Sequence, residues 1–259
     1  EDVAFIDPIY LRPRISRFRK NVICLSPTLE QQFFVIAEYL GNKSDGSAHA
    51  VFRSDEGATM AEVLLLSLAT FGGSLLSTKL LAGGDVLVDH LPVKGDVFVV
   101  GLSAGDVAAI ARHVASNGGV RVFVTFSEFS LLYADFVAAF RDGAGADRVV
   151  FVTNLPHWND DDTTSDTAQW FNFAVRDANR TPLALMGFAT GRLLLTVRSR
   201  MEKVSAELFE NFFFPTLPSK WTTCCTGPSL MAGRALLLRA VLGAAGLRCD
   251  AHFSVAACP

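Results

Sequence analysis

Three turns carry the side chains from which chemistry could be built: Ser103 to Asp106, Ser127 to Ser130 and Asn154 to Trp158, each directly after a short apolar run. Their Ser, Asp, Glu, Asn, His and Trp residues suit a small polar ligand held by hydrogen bonds against one aromatic wall. The same residues also suit helix caps and turns. More demanding chemistry is disfavoured by spacing. Ser127, Glu128 and His157 are the residue types of a hydrolase, but no nucleophile elbow flanks the serine. The glycines at 143 and 145 follow a helical pattern and precede an apolar run, the reverse of a dinucleotide fingerprint, and no Walker loop is present. The acidic run from Asn159 to Thr167 lacks the glycine and closing Glu of an EF-hand, so it reads as a solvated loop. Cys24, Cys224, Cys225, Cys249 and Cys258 follow no zinc spacing. No metal site and no catalytic residue is expected.

These turns need a scaffold, and the surrounding pattern supplies it. Val97 to Leu102, Val120 to Phe126 and Arg148 to Leu155 are runs rich in Val and Phe, as in strands buried on both faces of a parallel sheet. Between the first two, Val107, Ile110, Ala111 and Val114 form a helical stripe that stops at Asn117-Gly118-Gly119. Between the last two, Leu132, Phe136 and Phe140 repeat the design before Gly143. Two right-handed crossovers on one sheet follow, and in such α/β sheets ligands lie beyond the carboxyl ends of the strands.

Upstream, Asn21 to Leu25 reads as a strand, and Thr28 with Gln31 forms a capping box that opens a helix with Leu29, Phe33, Ile36, Ala37 and Leu40 inward. A strand from Ser47 to Asp55, a helix from Ala58 to Phe71 and extended segments at Ser74 to Leu81 and Asp85 to Leu91 lead into the central unit. Downstream, helices are expected over Thr167 to Ala178, with Trp170, Phe173 and Ala174 on one face, over Leu183 to Glu202, with Met186, Thr190, Leu193, Leu194 and Val197 aligned, and from Ser205 to Phe214. Arg12, Arg14, Arg17, Arg19 and Lys20 form a basic run that suits an anion or a solvated strand edge. Asn42 and Asn179 head N-glycosylation sequons.

With 259 residues, the chain has ample length for a core and for two lobes. A net charge of −3 gives no case for nucleic acid. Mean hydropathy is high, at +0.33. Ser, Thr, Arg or Gly nevertheless interrupts every apolar run before the roughly 20 residues a membrane helix needs. The first residue is Glu, and the chain reads as a piece of something longer.

The run NVICLSPTLEQQFFVIAEYL (21–40), followed by a strand, a helix and a Gly-Gly turn, resembles the middle of a type I periplasmic-binding-protein fold, where the chain passes from one lobe to the other. LALMGFATGRLL, with Gly187, Phe188, Gly191 and Arg192, resembles the returning helix. Over Ala4 to Leu217 the wording, including SPTLEQQFF, TFSEFS and ELFENFFF, is similar to the extracellular region of trypanosomatid receptor-type adenylate cyclases. The resemblance implies an α/β, type I periplasmic-binding-protein-like module with parallel sheets flanked by helices, here an incomplete two-lobe one. Residues 1–30 would be the remnant of lobe one and the crossover, 31–160 a Rossmann-like lobe two, 161–220 the return to lobe one, and 221–259 a separate tail.

The implied function is ligand sensing outside the cell: a small polar molecule closes an interlobe cleft and regulates cyclic AMP synthesis by a cytosolic domain. Ser26, Thr28, Ser103, Phe126, Ser127, Glu128, Asn154 and Trp158 are the cleft candidates, with Glu128 opposite a ligand amine. No cofactor is expected in this chain, ATP and magnesium belonging to the catalytic domain, and the membrane is met only through a transmembrane helix beyond it. A homodimer through the ectodomain is expected. A soluble solute-binding protein of a transport system, or an interaction ectodomain without ligand, are the alternatives. From Trp221 onward, clustered Cys, Ala, Arg and Gly replace the periodic pattern, as in GC-rich DNA read out of frame. Trp221 to Gly233, back-translated with synonymous codons and read from the third base of the Trp codon, yields DDMLYGPFVDG, an ordinary turn and strand. The competing reading is an amphipathic helix around Ala232 to Leu247.

Overall fold

A computed structural model describes residues 5–6, 22–23, 26–43, 46–153, 170, 172–174, 176, 179–200 and 254–257. They fall into two compact units. One holds β1 (Phe5–Ile6), β2 (Val22–Ile23) and α6 (Pro182–Arg200), and its two strands pair in parallel. The other holds α1 (Leu29–Lys43), β3 (Ser47–Phe52), α2 (Gly57–Thr70), β4 (Ser74–Leu80), β5 (Gly95–Val100), α3 (Ala104–Ser116), β6 (Val120–Val124), α4 (Phe126–Leu131), α5 (Tyr133–Ala139), β7 (Val149–Thr153) and β8 (Ser254–Ala257).

The larger unit is one sheet with helices on both faces. Strand order is β4-β3-β5-β6-β7-β8, the first five parallel and β8 antiparallel to β7. Alternation along the strands assigns the faces. Ala48, Ala50 and Phe52 of β3, Phe98 and Val100 of β5, Phe123 of β6, and Val150 and Val152 of β7 share a core with Phe33, Ile36 and Leu40 of α1 and Met60, Leu64 and Leu68 of α2. The alternate residues, among them Val99, Val122 and Phe151, meet α3 and the α4–α5 pair on the other side, where Phe129 stacks on Phe151 with ring centroids 4.1 Å apart. Truncating such a buried ring to Ala removes about 3–5 kcal/mol.

Most elements form where the hydrophobic period places them, and the differences have local causes. Phe126 begins α4 instead of ending β6, because Thr125 caps that helix by accepting the Glu128 N–H. The segment expected as extended from Asp85 to Leu91 contains a 3-10 turn, Leu87–His90, which lets Leu87 drop into the core. In α6 the inward side chains are Leu185, Met186 and Leu193, while Leu194 is 40% exposed. Trp170 and Ala174 are buried as expected, and Phe173 points out. The expected helix from Ser205 to Phe214 and the Ala232 to Leu247 segment lie outside the described residues. The short β8 occupies the free edge of β7, a row of unpaired N–H and C=O groups that accepts any compatible extended segment. No helix among the described residues is long and apolar enough to cross a membrane.

Candidate ligand-binding edge of the sheet

β3 and β5 lie side by side, yet the chain leaves β3 toward β4 and leaves β5 toward β6. That divergence is the topological switch point, where the connections part and leave room beyond the carboxyl ends. Arg53 follows β3 there, and Gly101, Leu102 and Ser103 follow β5. Thr125 to Glu128 stand beside them after β6.

Much of this edge is held by its own side chains. Arg53 donates to both Asp106 carboxylate oxygens, to the Gly101 carbonyl at 3.0 Å and to the Asp85 carbonyl at 3.0 Å. One guanidinium thus ties the end of β3 to the end of β5, the start of α3 and the loop after β4. Asp106 also accepts the Ser103 N–H at 2.8 Å and the Ser103 hydroxyl at 2.6 Å, closing a capping box. Burial would raise the Asp106 carboxyl, but the donors from Arg53 and Ser103 outweigh it and hold it below the ordinary aspartate range. Gly101 has φ +94°, and a Cβ there would collide with the Arg53 carbonyl oxygen, so only glycine admits this approach of the two strand ends.

Glu128 performs a second such closure. One carboxylate oxygen accepts the N–H groups of Gly101 and Leu102, the latter at 2.8 Å, and the other accepts the Thr125 hydroxyl at 2.8 Å. The residue is half-buried, but its carboxyl group is enclosed by protein, and that burial pushes the group above the ordinary glutamate range despite the donors. This corrects the expectation of a ligand-facing carboxylate: Glu128 joins the β5–α3 and β6–α4 turns.

The remaining candidates separate clearly. Phe126 is 1% exposed and packs against Phe151, so it belongs to the core, not to a cleft wall. Its N–H donates to Gln32 Oε1 at 2.8 Å, while Gln32 Nε2 donates to the Pro27 carbonyl at 3.0 Å. Thr28 forms its expected box with Gln31, its N–H donating to Oε1 at 2.9 Å. At the carboxyl edge Ser103 is exposed and Ser127 is half-buried. The Ser103 hydroxyl retains lone pairs while donating to Asp106, and the Ser127 hydroxyl has no partner among the described residues. Ser26 is half-buried and falls in the other unit. Asn154 and Trp158 lie outside the described residues. Asn42, in the last turn of α1, and Asn179, just before α6, are exposed. Among the described residues no cluster of His, Cys, Asp or Glu could hold a metal ion.

Sequence reasoning missed Gln32 and Arg53, and it placed Asp106 in a candidate turn without assigning its partners. The signal for Asp106 was present, since Ser103-x-x-Asp106 and Thr125-x-x-Glu128 repeat the capping-box spacing already read at Thr28-x-x-Gln31. Nothing local distinguishes Arg53 or Gln32 from solvated residues.

A doubly wound parallel sheet with this edge defines the class, a type I periplasmic-binding-protein-like module. Solved structures share the fold. A branched-chain amino acid ABC transporter protein from Thermus thermophilus with bound valine superposes with TM-score 0.59 at 13% identity, over 84% of this chain and 60% of that one. A substrate-binding periplasmic protein from Ralstonia solanacearum gives 0.55 at 13% identity, over 74% and 57%. The family model for the adenylate cyclase, periplasmic binding protein-like domain matches residues 1–220, and the chain belongs to that family. It is 45% identical over 214 residues to the receptor-type adenylate cyclase ESAG 4 of Trypanosoma brucei brucei, covering 82% of this chain and 17% of that protein. A receptor-type adenylate cyclase of Trypanosoma congolense is also 45% identical over 214 residues, covering 82% and 29%. Receptor-type adenylate cyclase B of Leishmania donovani is 27% identical over 212 residues, covering 76% and 16%. The chain thus spans less than a third of the length of these relatives. It corresponds to their extracellular, binding-protein-like region, and residues 221–259 fall beyond the family match.

Proposed function

We propose that this chain is the ligand-sensing part of a receptor-type adenylate cyclase, taking a small polar molecule at the carboxyl edge of its larger sheet and thereby regulating cyclic AMP synthesis by a cytosolic domain. The observation that carries the reading is the pair of hydroxyls at that edge, Ser103 and Ser127, beside a switch point stiffened by Arg53, Asp106 and Glu128. Such preorganisation limits the entropy lost on binding. Neighbours of the same fold carry amino acids, such as valine in the Thermus thermophilus protein, so amino-acid-like molecules are the first class to try. Thr28 is proposed as a further contact. Asn42 and Asn179, both exposed, are proposed glycan acceptors.

Ligand controls the cyclase only through a difference in affinity between two states of the receptor. The test is a thermal-shift screen of the chain against free amino acids and small polar metabolites, since a ligand that binds only the folded state raises the midpoint. A hit should lose its shift in Ser127→Ala, whose own midpoint stays within about 1 kcal/mol equivalent of the parent. The same molecule, applied to cells bearing the full receptor, should alter cyclic AMP. A screen without any shift would abandon the sensing role and leave an interaction ectodomain.

A further inference from the structure

Two of the points at which the chain passes between its units lie among the described residues: Ser26–Pro27, where it enters the larger unit, and Thr153, after which it leaves. Pro27 fixes its own φ and restricts Ser26 before it. A rotation at that crossing is therefore not absorbed there but passes into the start of α1. In the first turns of α1, Gln32 is 3% exposed, among buried residues that include Leu29, Phe33 and Ile36. A buried amide costs free energy unless its polar ends are bonded, and here both are. Nε2 donates to the Pro27 carbonyl at 3.0 Å, and Oε1 accepts the Phe126 N–H at 2.8 Å. That polarity is fixed, since a carbonyl only accepts and an N–H only donates. One side chain thus joins the crossing to a residue 94 positions away. A methionine would fill the same space without either bond, so packing alone does not call for the amide.

Phe126 is tied to the second crossing as well. Its ring packs on Phe151 of β7 with centroids 5.9 Å apart, and β7 ends at Thr153. Ser127, the half-buried hydroxyl of the carboxyl edge, is the next residue. Arg53 and Asp106, by contrast, hold the Ser103 turn through Gly101, Ser103 and Asp85 without reaching either crossing. We propose that Gln32 is a positioning residue that couples the Pro27 crossing to the β6–α4 turn, so that a change in the path of the chain between its units shifts Ser127. The use of this link in sensing rests on the function proposed above: a ligand held by Ser127 biases the crossing through the same bonds, because coupling is reciprocal. The link itself is present without a ligand and is measured without one, so a failed ligand screen and a failed link are separate outcomes.

Amide exchange of the 259-residue chain and three variants tests the coupling. Pro27→Ala, which frees φ at the crossing, should speed exchange across 125–131 at least about threefold, with β4 at the far edge of the sheet unchanged. Gln32→Met should itself speed exchange there, because the buried Phe126 N–H loses its acceptor. Adding Pro27→Ala to Gln32→Met should then change 125–131 by less than about 1.5-fold. A residue that merely filled the core would give independent effects that add. Equal acceleration by Pro27→Ala with Gln or Met at position 32 overturns the proposal, as does a 125–131 segment indifferent to Pro27→Ala. Acceleration of the same size in β4 marks a general loss of stability and overturns it too. Gln32→Asn, one methylene too short to span both bonds, takes the place of Gln32→Met should that chain not fold.

Discussion

Two arginine–aspartate pairs bracket the same sheet and do different work. At the amino end, Arg121 of β6 donates in bidentate fashion to Asp96 of β5 at 2.7 and 2.8 Å, on the α1 face beside Tyr39 and Phe123. It staples neighbouring strands and reaches only one further element, α1, by donating to the Tyr39 hydroxyl at 3.4 Å. At the carboxyl end, Arg53 spreads its donors over Asp106, Gly101 and Asp85, drawing together a strand end, a helix cap and two loops. One pair supports the sheet, whereas the other shapes the surface on which this fold binds ligands. Position along the strand, not the residue types, separates the two.

The comparison breaks most readily at Gly101. Gly101→Ala forces a left-handed backbone and a clash with the Arg53 carbonyl, so it should cost at least about 3 kcal/mol, a drop of roughly 6–12 °C for a chain of this size. A midpoint within 2 °C of the parent, or about 1 kcal/mol, would show that the strand ends can part freely.

Removing the two arginines sharpens the contrast. Arg53→Ala should cost about 2 kcal/mol, because Asp106, the more buried partner, and the Gly101 and Asp85 carbonyls lose donors together. Arg121→Ala should cost about 1 kcal/mol, since the Arg121 side chain is 31% exposed, solvent screens the pair, and water can replace it at Asp96. Protease cutting or faster amide exchange in 82–86 and 101–106 should appear only in the Arg53 variant. Equal local opening in both would erase the distinction.

The smallest effect is in pH. Glu128 is raised in the folded protein, so the native state binds its proton more readily than the unfolded chain does. Its contribution is fully present below the unfolded glutamate value and is lost as pH rises through the higher folded value. Asp106 is lowered and has the opposite sign, its contribution being present above the unfolded aspartate value and lost as pH falls through the folded one. Glu128→Gln keeps an acceptor for the Gly101 and Leu102 N–H groups. It should therefore be less stable than the parent near pH 4, and the gap should narrow toward pH 7. A difference curve flat across that range would remove the buried-carboxyl assignment.

What the chain determined by itself was periodic and local: Val- and Phe-rich runs that must be buried on both faces, helical stripes, Gly stops, and the capping box at Thr28 and Gln31. Running similarity from Ala4 to Leu217 also sufficed to indicate the family that the match over residues 1–220 shows. Only the tertiary structure decided what the polar residues do. Glu128 and Phe126 look alike as turn residues whether they face a ligand or the interior, because hydrogen-bond partners 26 and 27 residues away are not encoded in local spacing. Arg53 likewise acquires its role from residues 32 to 53 positions distant. Local sequence sets which segments are buried through the period of their apolar residues, while the destination of each polar group depends on which strand ends the sheet order makes neighbours.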